Sequence, residues 1–422
     1  MEKKRVARNG IPVYSYINPN THGFFVALYL RSGSMFESEE ESGITHFLEH
    51  AAIRNVNHLM GGETYALLDR YGLEFNAATY SEMVQFYVSG ASGSFAVGGE
   101  IIAKLLSPIT LSREELDAER GRIRAEIREG NDRTSLATFT SERVFEGTSL
   151  ARSITGTGSS VSRITRKRLE DYRRRVFVAD NLYFYVTGNV SDEELDSFCE
   201  LVGGYELAEK GEIHENVAPV PRNFGKRDAA VYLKNADFTK VKFTFDMDMS
   251  RISLPECDLI YDILLGGYSS ELFIELSEKR GLFYDLSGSE ERYLNLGTLG
   301  FSYVLRAQRL YEAIEMTVEL LRRLKEKPLA KQRCMYAANV DNAYMLLDEP
   351  RELNFTLAYD NYMMSMGYGS IEDRRRAYSE VTPERICEVM RELFRPENLT
   401  LTVKGDKSRV DTSRIREIIM KL

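Results

Sequence analysis

Apolar and polar positions along this chain change period in an order that is written twice. Val13–Leu30 alternates as a strand does, and an amphipathic helical segment follows it. Leu73–Ser89 returns to strand character, and long helical segments occupy Phe95–Glu129. The second half runs alike, with strand over Ala230–Asp246, a helix, strand over Leu282–Leu305 and helix over Leu310–Leu347. Each half closes on a threonine-initiated helix and a strand. Thr165, Phe177, Asn181, Val186 and Gly188 are matched by Thr382, Phe394, Asn398, Val403 and Gly405, each 217 residues further on. A period of this size means duplicated domains, because solenoid units run only about 20–50 residues. Residues 208–226 are polar, proline-bearing and aperiodic, so the halves are expected at 1–212 and 225–422 with 213–224 as linker. Strands mixed with helices in this way predict an α+β class, with an α/β sandwich in each half.

Composition narrows the class. With 422 residues, 43% apolar and 28% charged, the chain can bury a large core in two or three domains. A net charge of −9 argues against a nucleic-acid partner. The seven basic residues within Arg163–Arg175 read as a solvated helix face, and Gly156-Thr-Gly-Ser-Ser lacks the G-K-[ST] of a phosphate loop. Four scattered cysteines form no C-x-x-C pair, which suits a reducing compartment. No apolar leader follows the basic N-terminus and no run is long enough to span a bilayer, so a cytoplasmic protein without a membrane partner is expected. Met345 and the Met363–Met366 cluster are expected in the core.

The chemistry concentrates in His46-Phe-Leu-Glu49-His50, which holds two of only five histidines. Positions i, i+3 and i+4 share a helix face, so both imidazoles can converge on one metal ion while Glu49 points at what the metal holds. The order H-x-x-E-H is the inverted zincin motif. A zinc site needs another protein ligand, and a catalytic one keeps a position open. In the helical segment that starts at Ser112, with Glu115 completing a capping box, Glu119 and Glu126 recur on one face after two turns.

Taken together, these motifs resemble the pitrilysin/insulinase family of zinc metallopeptidases, in particular its mitochondrial-processing-peptidase-like bacterial branch. There the third ligand is a glutamate about 76 residues beyond the second histidine, and another glutamate precedes it by seven. The resemblance implies that His46, His50 and Glu126 bind one zinc ion per chain. It makes Glu49 the general base on the zinc-held water, and Glu119 a further catalytic carboxylate that orients a ligand. Gly33-Ser34 with Glu37, Gly43-Ile44-Thr45, Asn76-Ala77-Ala78-Thr79 and Ile154-Thr-Gly156-Thr157 are similar to other family signatures. One stretch departs: Ala51-Ala-Ile-Arg54-Asn-Val stands where the family has a Met-Leu-Phe-Lys-Gly-Thr-like run.

Carrying the repeat spacing across the motif gives Ile263, Gly266 and Gly267, with Ala343 opposite Glu126, so the second half is expected to be metal-free. It offers instead Leu264-Leu-Gly266-Gly267 and Glu278-Lys-Arg280-Gly281-Leu282-Phe-Tyr284, which look like the family's substrate-gripping signature. The resemblance makes Arg280 and Tyr284 donors to substrate carbonyls. It also makes the Leu73–Ser89 strand an edge to which a peptide adds, with Asn76 and Ala77 as backbone anchors. It further implies a clam-shaped homodimer that encloses a chamber and hydrolyses peptides or unfolded segments. The alternatives are a precursor-processing peptidase with a heterologous partner and a non-catalytic scaffold subunit of the same fold.

Overall fold

The computed structural model describes every residue except 131–134, 227–229, 234–237, 284, 332 and 334–341. The chain forms two compact units. In the first, β1 (Lys3–Val6), β2 (Pro12–Ile17), β3 (Gly23–Leu30), β4 (Glu74–Thr79), β5 (Val84–Ala91) and β6 (Leu182–Gly188) make one sheet in the order β1-β2-β6-β3-β5-β4. The run expected as one strand over Val13–Leu30 is therefore two. Asn18 breaks it with an Asx turn, its side-chain oxygen accepting the Asn20 N–H at 3.1 Å. β6 then slots between β2 and β3, parallel to the first and antiparallel to the second.

Side-chain alternation on β3 fills two cores at once. Val26, Leu28 and Leu30 pack on one face of the sheet, and Phe25, Ala27 and Tyr29 on the other. The first face carries α1 (Ile44–Leu59), α2 (Thr64–Tyr71), α3 (Phe95–Ala103) and α4 (Arg113–Gly130). The long helical stretch expected from Phe95 is interrupted after α3 by a single tight turn and an extended segment through Pro108, which has no N–H to continue a helix. The opposite face is covered by the helix Pro350–Tyr362, whose Leu353, Leu357 and Ala358 are buried against Tyr29 and Tyr183.

The second unit repeats the plan with β7 (Ala230–Leu233), β8 (Phe238–Asp248), β9 (Asp285–Arg292), β10 (Leu296–Arg306) and β11 (Leu399–Gly405), in the order β7-β11-β8-β10-β9. Its core packs Leu254–Leu265, Leu310–Glu326, Pro383–Leu393 and Thr412–Ile419 on the sheet. Helix Leu136–Val144 also belongs here, with Thr140 Oγ1 2.6 Å from Thr402 Oγ1. Each unit thus takes a segment from the other half of the chain, 342–371 in the first and 132–151 in the second, an exchange that contiguous halves do not contain. Both expected threonine caps form: Thr165 accepts the Arg168 N–H and Thr382 the Arg385 N–H, each at 3.2 Å. Met363 and Met364 are buried, but Met345 is 64% exposed and does not join the core.

Candidate active site

Helix α1 is fixed at its first turn. Gly43 adopts φ +88°, and a Cβ there would sit 2.7 Å from the Thr155 carbonyl oxygen, so only glycine fits against that backbone. The Glu37 carboxylate accepts the N–H groups of Gly43 and Thr45, both at 2.8 Å, satisfying donors the helix leaves open. Burial pushes the Glu37 carboxyl up to about 7, against the pull of those two N–H groups. Tyr172 holds the Thr45 hydroxyl at 2.7 Å. The next residue is His46, so the cap sets where the histidine motif begins.

His46 and His50 lie with ring centroids 4.7 Å apart. Helix α4 starts from the expected capping box, Ser112 N–H to Glu115 at 2.8 Å and Glu115 N–H to Ser112 at 3.2 Å. It delivers Glu126 to both rings, with His46 Nε2 and His50 Nε2 each 3.6 Å from a Glu126 carboxylate oxygen. The three donor groups lie within 4.8 Å of one another, and the described residues contain no other such group. Tetrahedral bonds of about 2.0–2.2 Å separate ligand atoms by roughly 3.3–3.6 Å, so the two histidine–carboxylate separations of 3.6 Å suit a zinc ion. Burial pushes His46 down to about 4, with the His50 charge adding to it, so its ring is neutral with a free lone pair near pH 7.

Two carboxylates border the cluster. Glu49 receives the Thr79 hydroxyl from β4. Its pKa is raised by burial and by Glu126, while the Thr79 bond and the His50 charge oppose the rise. Glu119 is only 2% exposed, contrary to the solvated position usual for a glutamate on a charged helix. It lies 3.4 Å from His50 Nδ1 and accepts from Arg54 at 2.8 Å and Arg122 at 3.0 Å. Burial works against its charge, but the hydrogen bonds of His50 and Arg54 and the Arg122 charge outweigh it and lower the pKa.

β4 is the outer strand of its sheet. Asn76 is exposed on it, and its side-chain oxygen accepts the Ala77 N–H at 2.9 Å. Arg280 is exposed in the second unit. Tyr284 lies outside the described residues. Thr79, Arg54 and Arg122 were not singled out from the sequence. Thr79 closes the Asn76–Thr79 run and was visible as part of it. Arg54 carried no local signal, because its partner is on another helix, whereas Arg122 stands at i+3 from Glu119, a spacing readable in the sequence.

The counterpart of this cluster is not where the repeat spacing put it. Tyr29 pairs with Tyr183 and Gln85, and Thr244 with Thr400 and Gly300, so the two hold one place in their sheets. One strand outward, Ala78 opposes Gln85 and Ser289 opposes Gly300, which makes Glu290 the match of Thr79. The buried Phe47, Leu48, Ala51 and Ala52 of α1 match the buried Leu259, Ile260, Ile263 and Leu264. His46, Glu49 and His50 therefore correspond to Asp258, Tyr261 and Asp262, and not to Ile263, Gly266 and Gly267. The registers differ because the connections before each helix differ in length. Arg292 bridges this second cluster, 2.7 Å from Asp258 and paired with Glu290.

Fold and site define a duplicated α+β protein with, in one half, a histidine–carboxylate cluster that could hold a metal ion. Residues 13–158 match the family model described as insulinase (peptidase family M16), and residues 163–339 match that of the peptidase M16 inactive domain. The chain belongs to peptidase family M16. It is 22% identical over 407 residues to the zinc protease YmxG of Bacillus subtilis, covering 93% of this chain and 96% of that protein. It is 29% identical over 191 residues to the mitochondrial-processing peptidase subunit beta of Bos taurus, covering 44% of this chain and 39% of that one. Among solved structures, a protease from Helicobacter pylori superposes with a TM-score of 0.83 at 18% identity, over 96% of this chain and 99% of that one. The periplasmic protease PqqL of Escherichia coli gives 0.79 at 17% identity, over 99% of this chain and 49% of that one. No helix of the described residues is long and apolar enough to cross a membrane.

Proposed function

We propose that this chain is a zinc-dependent endopeptidase, with His46, His50 and Glu126 holding the metal and Glu49 as general base. The His–His–Glu donor cluster beside Glu49 carries the proposal, and the relatives named zinc proteases support it. Zinc, when bound, polarises a carbonyl and acidifies water. Glu49 then takes the proton of the attacking water and returns it to the leaving amine, while Thr79 holds the carboxylate in place. The open edge of β4 suits a peptide bound by backbone hydrogen bonds, which tolerates varied sequences. Asn76 and Ala77 would exchange their mutual hydrogen bond for substrate contacts, and Arg280 and Tyr284 would hold substrate carbonyls. One zinc per chain and a homodimer enclosing the substrate belong to the same proposal on family resemblance, and a cytoplasmic location on the scattered cysteines.

Glu49→Gln is the test. The amide still accepts from Thr79, so the variant should keep its zinc and its fold. Peptide cleavage should fall about 10²- to 10⁴-fold, the usual contribution of a positioned base. Undiminished cleavage by the zinc-loaded variant would overturn the assignment; a wild-type protein without zinc would point to the scaffold alternative.

A further inference from the structure

The two histidines of the cluster are held differently. His46 Nδ1 is buried without a hydrogen-bond partner, so packing alone orients that ring. His50 Nδ1 instead faces the Glu119 carboxylate, and its Nε2 faces Glu126. A carboxylate accepting Nδ1–H keeps the proton off Nε2 and leaves that lone pair for a metal. Everything then depends on what keeps Glu119 in place. Its side chain is 3% exposed, and one oxygen, Oε1, accepts both Arg54 at 2.8 Å and Arg122 at 3.0 Å. The other, Oε2, is the one turned to His50.

The two arginines are not equivalent. Arg122 sits on α4 one turn from Glu119 and its side chain is 65% exposed, so water competes for it. Arg54 is on α1, one turn beyond His50, with a side chain 29% exposed. Its bond to Glu119 crosses from the helix that carries both histidines to the helix that carries Glu126.

We propose that Arg54 is a positioning residue for the metal site: by gripping Glu119 Oε1 it locks α1 to α4 and turns Oε2 onto His50. This rests on the zinc-site reading above. Without Arg54 the buried carboxylate keeps only an exposed partner and can swing toward it, freeing the His50 ring to rotate or change tautomer. Arg54→Met keeps the apolar stem and removes the donors. Arg54→Lys keeps one donor and the charge but loses the planar fork.

The test is zinc affinity, measured by chelator competition on folded protein whose integrity is checked by circular dichroism and thermal unfolding. Arg54→Met should bind zinc about 10- to 100-fold more weakly than wild type, the usual cost of losing a ligand's outer partner, with Arg54→Lys in between. A Glu119→Gln/Arg54→Met double variant should lose little beyond Glu119→Gln, because both act through one contact. Affinity of Arg54→Met within about threefold of wild type would overturn the proposal, as would full additivity in the double variant. If Arg54→Met does not fold, an unchanged affinity in Arg54→Lys also overturns it, and an intermediate one supports it. His50→Ala separates this from the underlying reading. If it binds zinc as wild type does, the metal site itself is wrong; if it loses zinc while Arg54→Met keeps it, only the role of Arg54 fails.

Discussion

Thr79→Val removes one hydroxyl from β4 and changes almost nothing else in shape. In the folded chain that hydroxyl donates to the Glu49 carboxylate, the proposed base. A hydrogen bond to a charged group is worth about 1.5–3 kcal/mol. If the whole of it is felt at the transition state, kcat falls about 10- to 150-fold. Val also removes the one hydrogen bond that pulls the Glu49 pKa down against burial. The base works ionised, so a pKa pushed further up moves the acidic limb of the kcat profile to higher pH. Initial rates on a fluorogenic peptide from pH 5 to 8, at matched zinc content, read both effects. Thr79→Ser should recover most of the activity, since it restores the donor. A Thr79→Val enzyme with wild-type kcat, or an acidic limb that moves to lower pH, would refute the idea that Thr79 sets the base.

Two further outcomes concern the frame around the site. Asn354 is fully buried; it accepts the Tyr29 hydroxyl at 2.9 Å and donates to the Tyr185 carbonyl at 2.8 Å. Asn354→Leu takes the acceptor from the Tyr29 hydroxyl and a donor from the Tyr185 carbonyl, at about 1–3 kcal/mol each, so the urea midpoint should drop by the equivalent of about 2–6 kcal/mol; an unmoved midpoint contradicts this. The Glu37 carboxyl stands at about 7 in the fold against 4.5 as its ordinary value. Its raised pKa adds stability that is complete below pH 4.5 and is lost as pH rises through 7. Glu37→Gln does not titrate there, so the stability of wild type relative to it should fall by about 3 kcal/mol between pH 4.5 and 8. Urea unfolding of both proteins across that range checks it, and a pH-independent difference would be inconsistent with a buried, titrating cap.

What was legible in the sequence follows from what is local. The spacing of His46, Glu49 and His50 fixes their common face, because one helix carries all three and helix geometry is the same everywhere. The Ser112, Thr165 and Thr382 caps were legible for the same reason. Glu126 came from resemblance, since nothing in its own segment distinguishes it from its glutamate neighbours. Glu119 shows why: it is buried where α4 meets α1, and its partners His50 and Arg54 lie on that other helix. Helix Pro350–Tyr362 went unseen because its buried face mixes Leu353 and Leu357 with Asn354 and Asp360, which breaks the apolar period. Asn354 is satisfied by partners far away in sequence, Tyr29 and Tyr185, which no window on the chain contains.

The second half carries a matching cluster of a different chemistry. In the first unit these helix positions hold His46 and His50, and burial keeps the His46 ring neutral. In the second, the matching helix positions are Asp258 and Asp262, with Glu290 on the neighbouring strand. Burying carboxylates without a cation is costly, and burial does push Glu290 up to about 7 and Asp262 up to about 6. Arg292 answers that cost from within the chain. It follows Glu290 by two residues, so both side chains leave β9 on one face, and its guanidinium pairs with Asp258 and Glu290 at once. A covalently fixed cation needs no binding equilibrium and no open coordination position, and it cannot activate water as a metal does. With aspartates at the histidine positions and Arg292 pairing them, the second unit keeps the packing of helix on strand, and on the proposed function hydrolysis belongs to the half that carries His46 and His50.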